Sequence, residues 1–437
     1  MGCVPVRGGR MADIIRVGLL GYGTIGSGVI KLLTDPESRI ADRIKLVKVA
    51  DTDLEREREV KVDPALLSCD TDSVVNDPEI DVIVELIGGV GAAKKYVEMA
   101  LDAGKDVVTA NKYMIALHGD ELHERAGRNG ARLLFEASVA GGVPIIQVIR
   151  DRLAVDRVLS INAILNGTCN YILTRMEQVP GMDVDQAVAE ARQKGFAEAD
   201  PTLDVSGMDT AQKLCILVRK ALRTLVLPDQ IDLQGIAGIS NVDVQSALEM
   251  GYRIKLIAHS HRVNGKLELW VGPALIPAAN TLAQVSNEFN AVAIKSEAHG
   301  EQTFIGKGAG MMPTAGAVIG DLYTLLNHDN VTSLLSESRL DIPIVDSKNV
   351  RCRYFTRFTV KDQPGVISAV SGELAARGIS IASVVQHEKA VDPRQGVPLV
   401  VITHETTAGA MSEAVAAIDR LDVMLQPAHT IRIMDTL

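Results

Sequence analysis

The 437-residue sequence predicts an α/β chain in three parts: an N-terminal parallel sheet with helices on both faces, an α+β middle, and a small C-terminal βαββαβ module. Three observations predict it. Short apolar runs alternate with helix-length segments over the first third of the chain. A Gly-rich turn joins the first of those runs to an amphipathic stretch. A polar, Pro-containing connector at 341–348 precedes a final block whose elements follow their own order.

Taken in order, residues 14–20 (IIRVGLL) read as a short buried strand, and the turn 21–26 leads into an amphipathic run to about residue 33. Residues 44–50 (IKLVKVA) form a second strand that ends in Asp51. Residues 81–87 (DVIVELI) are a third. A helical stretch over 92–103 leads to a strand at 106–110, which runs into Asn111 and Lys112. Residues 117–129 are helical and 132–135 extended. From Glu136 the texture changes, with a breaker cluster at Ala140-Gly141-Gly142-Val143-Pro144. Strands follow near 157–164 and 266–276, with long helical segments between them. Residues 301–313 are Gly-rich and 314–326 helical. The final block reads strand 353–360, helix 366–377, strands 380–387 and 397–404, helix 408–420, strand 428–434.

Composition narrows the function. Lys and Arg number 45 against 55 Asp and Glu, net −10, and aromatics are 3%. Neither a phosphate-neutralising face nor a base-stacking platform is expected, so nucleic acid is excluded as a partner. No apolar run reaches the roughly 18 residues of a membrane span, and no signal-peptide core is present. The five cysteines (Cys3, Cys69, Cys169, Cys215, Cys352) are odd in number and far apart, which fits a reducing cytoplasm rather than a disulfide framework. Residues 1–12 read as an N-terminal extension, with either Met1 or Met11 as the start.

The turn Gly21-Tyr22-Gly23-Thr24-Ile25-Gly26 has the spacing of a Rossmann dinucleotide site. Its first glycine permits the turn, its second admits a pyrophosphate, and its third lets helix and strand pack closely. The N–H groups of Thr24 and Ile25 then open a helix toward the phosphates. Asp51, at the next strand end, can accept from both ribose hydroxyls, which favours NAD. Arg56 and Arg58, close behind, are the residues that would pair with the 2′-phosphate of NADP. Lys112 lies just past a strand's carboxyl end, where ligands bind in such sheets.

The most informative stretch is 191–213, ARQKGFAEADPTLDVSGMDTAQK. Glu198, Asp200, Asp204, Asp209 and Lys213 fall within it. Asp209 and Lys213 are spaced i, i+4 and share a helix face. Four carboxylates punctuated by Gly and Pro are denser than a solvated helix face requires. This stretch resembles the signature of homoserine dehydrogenases. Residues 109–114, Leu165-Asn166-Gly167-Thr168-Cys169-Asn170-Tyr171 and 306–321 agree with that family in order, and the likeness covers about 13–340. The tail, 353–437, resembles an ACT domain, a ferredoxin-like module.

The resemblance implies NAD(P)-dependent interconversion of L-homoserine and L-aspartate 4-semialdehyde. It implies Lys213 as proton donor, Asp209 as its neighbouring carboxylate, and Lys112 near both cofactor and substrate. Glu198 and Asp204 are the substrate acids, with Gly167 and Thr168 facing the substrate carboxylate. Gly88 and Gly308 join Gly21, Gly23, Thr24, Ile25, Gly26 and Asp51 in the cofactor set. Glu136, Val139, Gly141 and Val143 match a loop that holds a monovalent cation, Na+ or K+, in some members. Threonine is the expected effector of the tail, and a homodimer or homotetramer the expected assembly. The expected domains are 13–136 with a returning segment 306–340, then 137–305, a linker at 341–352, and 353–437. Two other readings are open on the residues alone: a semialdehyde dehydrogenase with Cys169 as nucleophile, and a non-catalytic amino-acid sensor.

Overall fold

The computed structural model describes residues 14–38, 40, 42–198, 200–327, 339–386 and 396–435. The N-terminal extension with its alternative starts, and part of the returning segment, lie outside the described residues. The first unit comprises β1 (Ile15–Leu20), α1 (Thr24–Leu33), β2 (Ile44–Ala50), β3 (Leu67–Ser68), α2 (Thr71–Val75), β4 (Val82–Glu85), α3 (Gly91–Asp102), β5 (Asp106–Thr109), α4 (Lys112–Arg128) and β6 (Leu133–Leu134). Its strands pair in parallel in the order β3-β2-β1-β4-β5-β6. That is the doubly wound order, with its ligand crevice at the switch between β1 and β4. Every described residue of β4 is buried, as expected for a strand covered on both faces.

Next come α5 (Ile145–Asp151), β7 (Val158–Ile164), α6 (Gly167–Gln178), α7 (Val184–Gln193), α8 (Thr202–Val205), α9 (Met208–Ala221), β8 (Asp232–Leu233), α10 (Asn241–Glu249), β9 (Tyr252–Val263), β10 (Lys266–Pro277), α11 (Thr281–Gln284), β11 (Phe289–Ser296), β12 (Gly300–Lys307) and α12 (Met311–Asn327). The last unit holds β13 (Arg351–Val360), α13 (Val366–Ala375), β14 (Ile381–Gln386), β15 (Val397–Thr403), β16 (Thr406–Thr407), α14 (Ala408–Ile418) and β17 (Met424–Ile433). Two strands depart from expectation. Residues 252–263, within a region read as helical, form β9, and the Gly-rich 301–313 begins as β12. Both carry Lys, Arg, His or Glu along their length, which hides the period-two pattern.

The middle and last units share one sheet, ordered β12-β11-β7-β9-β10-β17-β13-β15-β14, with β8 and β16 beside it. β17 pairs in parallel with β10 at Ala274–Arg432 and Leu275–Ile433. The connector is pinned as well: Leu267 N–H donates to Pro343, and Val345 N–H returns to Leu267, each at 2.9 Å. Phe355, Val400, Ile402, Ile431 and Ile433 belong to the same buried cluster as Leu214, Leu256 and Val271. A second cluster, with Tyr354, Phe358 and Leu374, lies on the other face of β13. Helix α12 returns to the first unit and packs on α1. A Cβ on Gly28 would stand 2.9 Å from that of Ala315. Among the described residues no helix is long and apolar enough to cross a membrane.

Candidate active site

The turn after β1 is built for close approach. Gly21 has φ +102°, and a Cβ there would meet the Leu86 carbonyl oxygen at 2.6 Å. A Cβ on Gly26 would stand 2.1 Å from the Gly21 oxygen, so only glycine lets α1 lie this near the strand. Gly23, at the N-cap of α1, and Gly88, after β4, face open space. The first turn of α1 thus opens beside a glycine with free space around it, which fits the approach of a pyrophosphate to its N–H groups.

Asp51 is anchored at the end of β2. One oxygen accepts from Tyr22 N–H (2.6 Å) and the other from Asp53 N–H (2.9 Å). Arg58 lies across it at 3.5 Å, stacked 4.4 Å over the Tyr22 ring. Its Nε donates to Tyr22 O, its Nη1 to Arg56 O and its Nη2 to Asp53 O. The Arg58 guanidinium is therefore committed to the loop.

Lys112 is set by a network that sequence reasoning missed. Glu85, fully buried, accepts from Ile87 N–H and Gly88 N–H with one oxygen and from Thr109 Oγ1 (2.6 Å) with the other. Thr109 Oγ1 accepts from Asn111 N–H, and Asn111 caps α4 through Met114 N–H (3.1 Å). The sequence signal for Glu85 is a carboxylate inside an otherwise apolar strand.

Three segments converge beyond it. Asp209 takes Lys213 Nζ on one oxygen (2.7 Å) and Lys112 Nζ on the other (2.9 Å). Lys213 also donates to the Leu165 carbonyl at 2.8 Å. Asn166 is the second missed residue. Its Nδ2 donates to Asp204 (2.7 Å) and Asp209 (2.9 Å), while its Oδ1 caps α6 through Cys169 N–H. Burial opposes the charge on Asp209, but Lys213 and Lys112 outweigh it and hold the carboxyl well below the usual range. Burial likewise works against the charge on Lys112, and Asp209 keeps its pKa raised nonetheless. Asp204 is pushed up, mainly by burial. Glu198 is exposed and reaches the group only through its field on Lys112. Asp200 turns away and accepts from Thr202. Thr168 Oγ1 donates to Phe196 O, and Gly167 opens α6 close to the Glu288 carbonyl.

Cys169 corrects one reading. It is fully buried, its Sγ donates to the Asp204 carbonyl (3.2 Å), and burial raises its pKa well above that of a free thiol. A nucleophile needs an accessible thiolate, so the Cys169 route to semialdehyde oxidation fails.

Glu136 uses its carboxylate inside the protein, accepting from Ile146 N–H (2.9 Å) and Gln147 N–H (2.7 Å) at the start of α5. Its own N–H donates to Asp321. Val139, Gly141 and Val143 are buried in the loop that follows, whose Gly142 N–H donates to Lys307 O. Gly308 abuts this loop: its carbonyl stands 3.1 Å from where a Gly141 Cβ would be. Burial lifts Glu136 to about 7, and burial with the Glu136 charge lifts Asp321 to about 8. Between about pH 4 and pH 8 the folded chain therefore holds protons that the unfolded chain has released, and stability falls as pH rises. Lys220, which burial lowers to about 7, acts in the opposite sense, and only above that pH. Asp321→Asn keeps an acceptor for the Glu136 N–H and removes one titration. Its urea-unfolding free energy is expected to change less than the parent's between about pH 5 and pH 8. Equal slopes in the two proteins would contradict this account.

Comparison with known proteins follows the same lines. Residues 144–323 match the family described as homoserine dehydrogenase, 21–136 its NAD-binding domain, and 354–422 the ACT domain. The homoserine dehydrogenase of Bacillus subtilis is 36% identical, over 96% of this chain and 98% of its own. The crystal structure of a homoserine dehydrogenase from Thiobacillus denitrificans superposes with a TM-score of 0.89 at 37% identity, covering 96% of this chain and 98% of that one. A hyperthermophilic archaeal homoserine dehydrogenase in complex with NADPH aligns at TM-score 0.60 and 25% identity, over 71% of this chain and 97% of its own.

Proposed function

The chain belongs to the homoserine dehydrogenase family, and from that premise we propose how its own residues divide the work. The family reaction is NAD(P)-dependent and acts on a CH–OH group, interconverting L-homoserine and L-aspartate 4-semialdehyde. When bound, the nicotinamide supplies or accepts the hydride. The protein must bind the amino acid, polarise its carbonyl and move one proton.

The observation that carries the reading is a single carboxylate, Asp209, held between two ammonium groups. Reducing the aldehyde builds negative charge on its oxygen, and a fixed cation there lowers the barrier. Lys213 gives the proton to that oxygen, or takes it back through the reverse step. Lys112 adds positive charge from the cofactor side. Asp209 orients both lysines and Asn166 orients Asp209. Asp204 and Glu198 receive the substrate ammonium, and the first N–H groups of α6, at Gly167 and Thr168, receive its carboxylate. Replacement of Lys213 is the decisive experiment and is taken up in the Discussion.

Gly21, Gly23, Thr24, Ile25, Gly26, Gly88 and Gly308 are assigned to the dinucleotide. NAD is the preferred form, because Asp51 stands at the ribose end and Arg58, the nearest cation, is bonded into its own loop. A charged hydrogen bond is worth about 1.5–3 kcal/mol. Asp51→Ser is thus expected to shift the kcat/KM ratio toward NADP by roughly tenfold or more. A parent enzyme that strongly prefers NADP would overturn the assignment.

The loop 136–143 is proposed to hold Na+ or K+ through main-chain carbonyls. Both Glu136 oxygens are occupied at α5, and neutral carbonyl donors suit a single charge. Feedback by threonine through the ACT domain completes the proposal. A physical path supports it. Gln234 Nε2 donates to Thr430 O on β17 (3.0 Å), and two residues on Ile236 N–H donates to Val205 O (2.9 Å), next to Asp204. Homo-oligomer formation is proposed on the edge strand β14, which exposes Val384.

A further inference from the structure

The catalytic group lies on the helix-covered face of the large sheet, and the opposite face carries a second cluster that the reaction does not use. Strands β9 and β10 pair antiparallel, with His259 opposite Trp270 and His261 opposite Glu268. Alternation along each strand sets all four side chains on the face away from Leu256, Leu267 and Val271, which pack under the helices. One ligand atom from each of His259, His261 and Glu268 lies within 4.8 Å of the others.

The geometry points to a divalent transition-metal site of the zinc class formed by His259, His261 and Glu268. Two imidazoles and one carboxylate are a donor set that such ions take, with at least one position left for water or a further ligand.

A second observation supports preorganisation. His259 Nδ1 lies 2.7 Å from Asn162 Oδ1. That oxygen can only accept, so Nδ1 carries the proton and the Nε2 lone pair is free. A metal-ligating histidine is usually fixed in this way by an outer partner. The ring is further clamped by stacking on Trp270 (centroids 4.9 Å, 21°), itself covered by the Arg432 guanidinium at 4.9 Å. Beyond the backbone ladder, the side chains of His261 and Glu268 make no hydrogen bond to another described residue, which leaves their donor atoms available. A bound ion would tie β9 to β10 beside the junction where β17 joins the sheet.

Trp270 is the only tryptophan in the chain, so its fluorescence reports on this site alone. The full-length protein, stripped with a chelator, is titrated with Co2+ while emission is followed. Zn2+ stoichiometry is measured separately by competition with a chromophoric chelator. One ion per chain is expected, with saturable quenching that Zn2+ reverses. His261→Ala and the isosteric Glu268→Gln should each weaken both signals by roughly tenfold or more. Retention of the parent circular dichroism by Glu268→Gln keeps that variant interpretable if His261→Ala misfolds. Binding without quenching, or quenching unchanged in the folded variants, overturns the site.

Discussion

Lys213→Ala is expected to lower kcat by about 10²–10⁴-fold in both directions, the range of a lost general acid–base, while KM moves little. The side chain is nearly enclosed, at 11% exposure, and its ammonium is aimed by Asp209 and the Leu165 carbonyl. An interaction made only as charge develops on the substrate oxygen lowers kcat and kcat/KM together. Truncation leaves Asp209 ion-paired with Lys112 and hydrogen-bonded to Asn166, so the carboxylate keeps its partners and the fold should survive. Steady-state kinetics on homoserine oxidation and semialdehyde reduction decide the matter. Near-normal turnover would move the proton role to Lys112. A raised KM with kcat intact would make Lys213 a binding residue.

Much of this site was legible because its parts are local. The i, i+4 spacing of Asp209 and Lys213 fixes a shared helix face, and the structure finds them 2.7 Å apart. The Gly21-x-Gly23-x-x-Gly26 turn is likewise a local constraint, and it stands where the doubly wound sheet needs it. What brings Lys112 onto the other oxygen of Asp209 is the packing of α4 against α9, a long-range contact that spacing does not encode. Asn166 escaped for a different reason. An Asn before a helix reads as a cap, which it is, and nothing in the string reveals that its amide also spans Asp204 and Asp209. The β10–β17 pairing escaped too, because two short parallel contacts between distant strands leave no periodic trace.

That pairing leads to the second large effect. Phe355→Ala is expected to destabilise the substrate-binding region by about 3–5 kcal/mol, the cost of emptying a large aromatic site in a core. Phe355 is fully buried and points from β13 into the cluster that also holds Leu214 of α9 and Leu256 of β9. Phe358, three residues on and equally buried, points into the cluster that closes the last unit on its own helices. The two substitutions remove the same side chain from opposite faces of one strand. If the ACT unit and the catalytic region unfold together, both variants lower the temperature at which activity is lost. If the ACT unit were an independent module on a linker, neither would change that temperature, and a separate early transition would carry the whole effect. Calorimetry alongside residual activity separates the two cases. The shared core also dictates how threonine feedback must be tested. A chain ending near Lys348 would strip Phe355, Ile431 and Ile433 from the core they share with the middle unit and free the β10 edge, along with whatever binds the effector. Its insensitivity to threonine would then report damage to the substrate region as much as loss of a sensor. Inhibition should instead be followed in the full chain, with Gln234→Ala cutting the contact between β17 and the segment that reaches Val205. Weaker inhibition with basal kcat retained is the outcome that coupling through this contact requires.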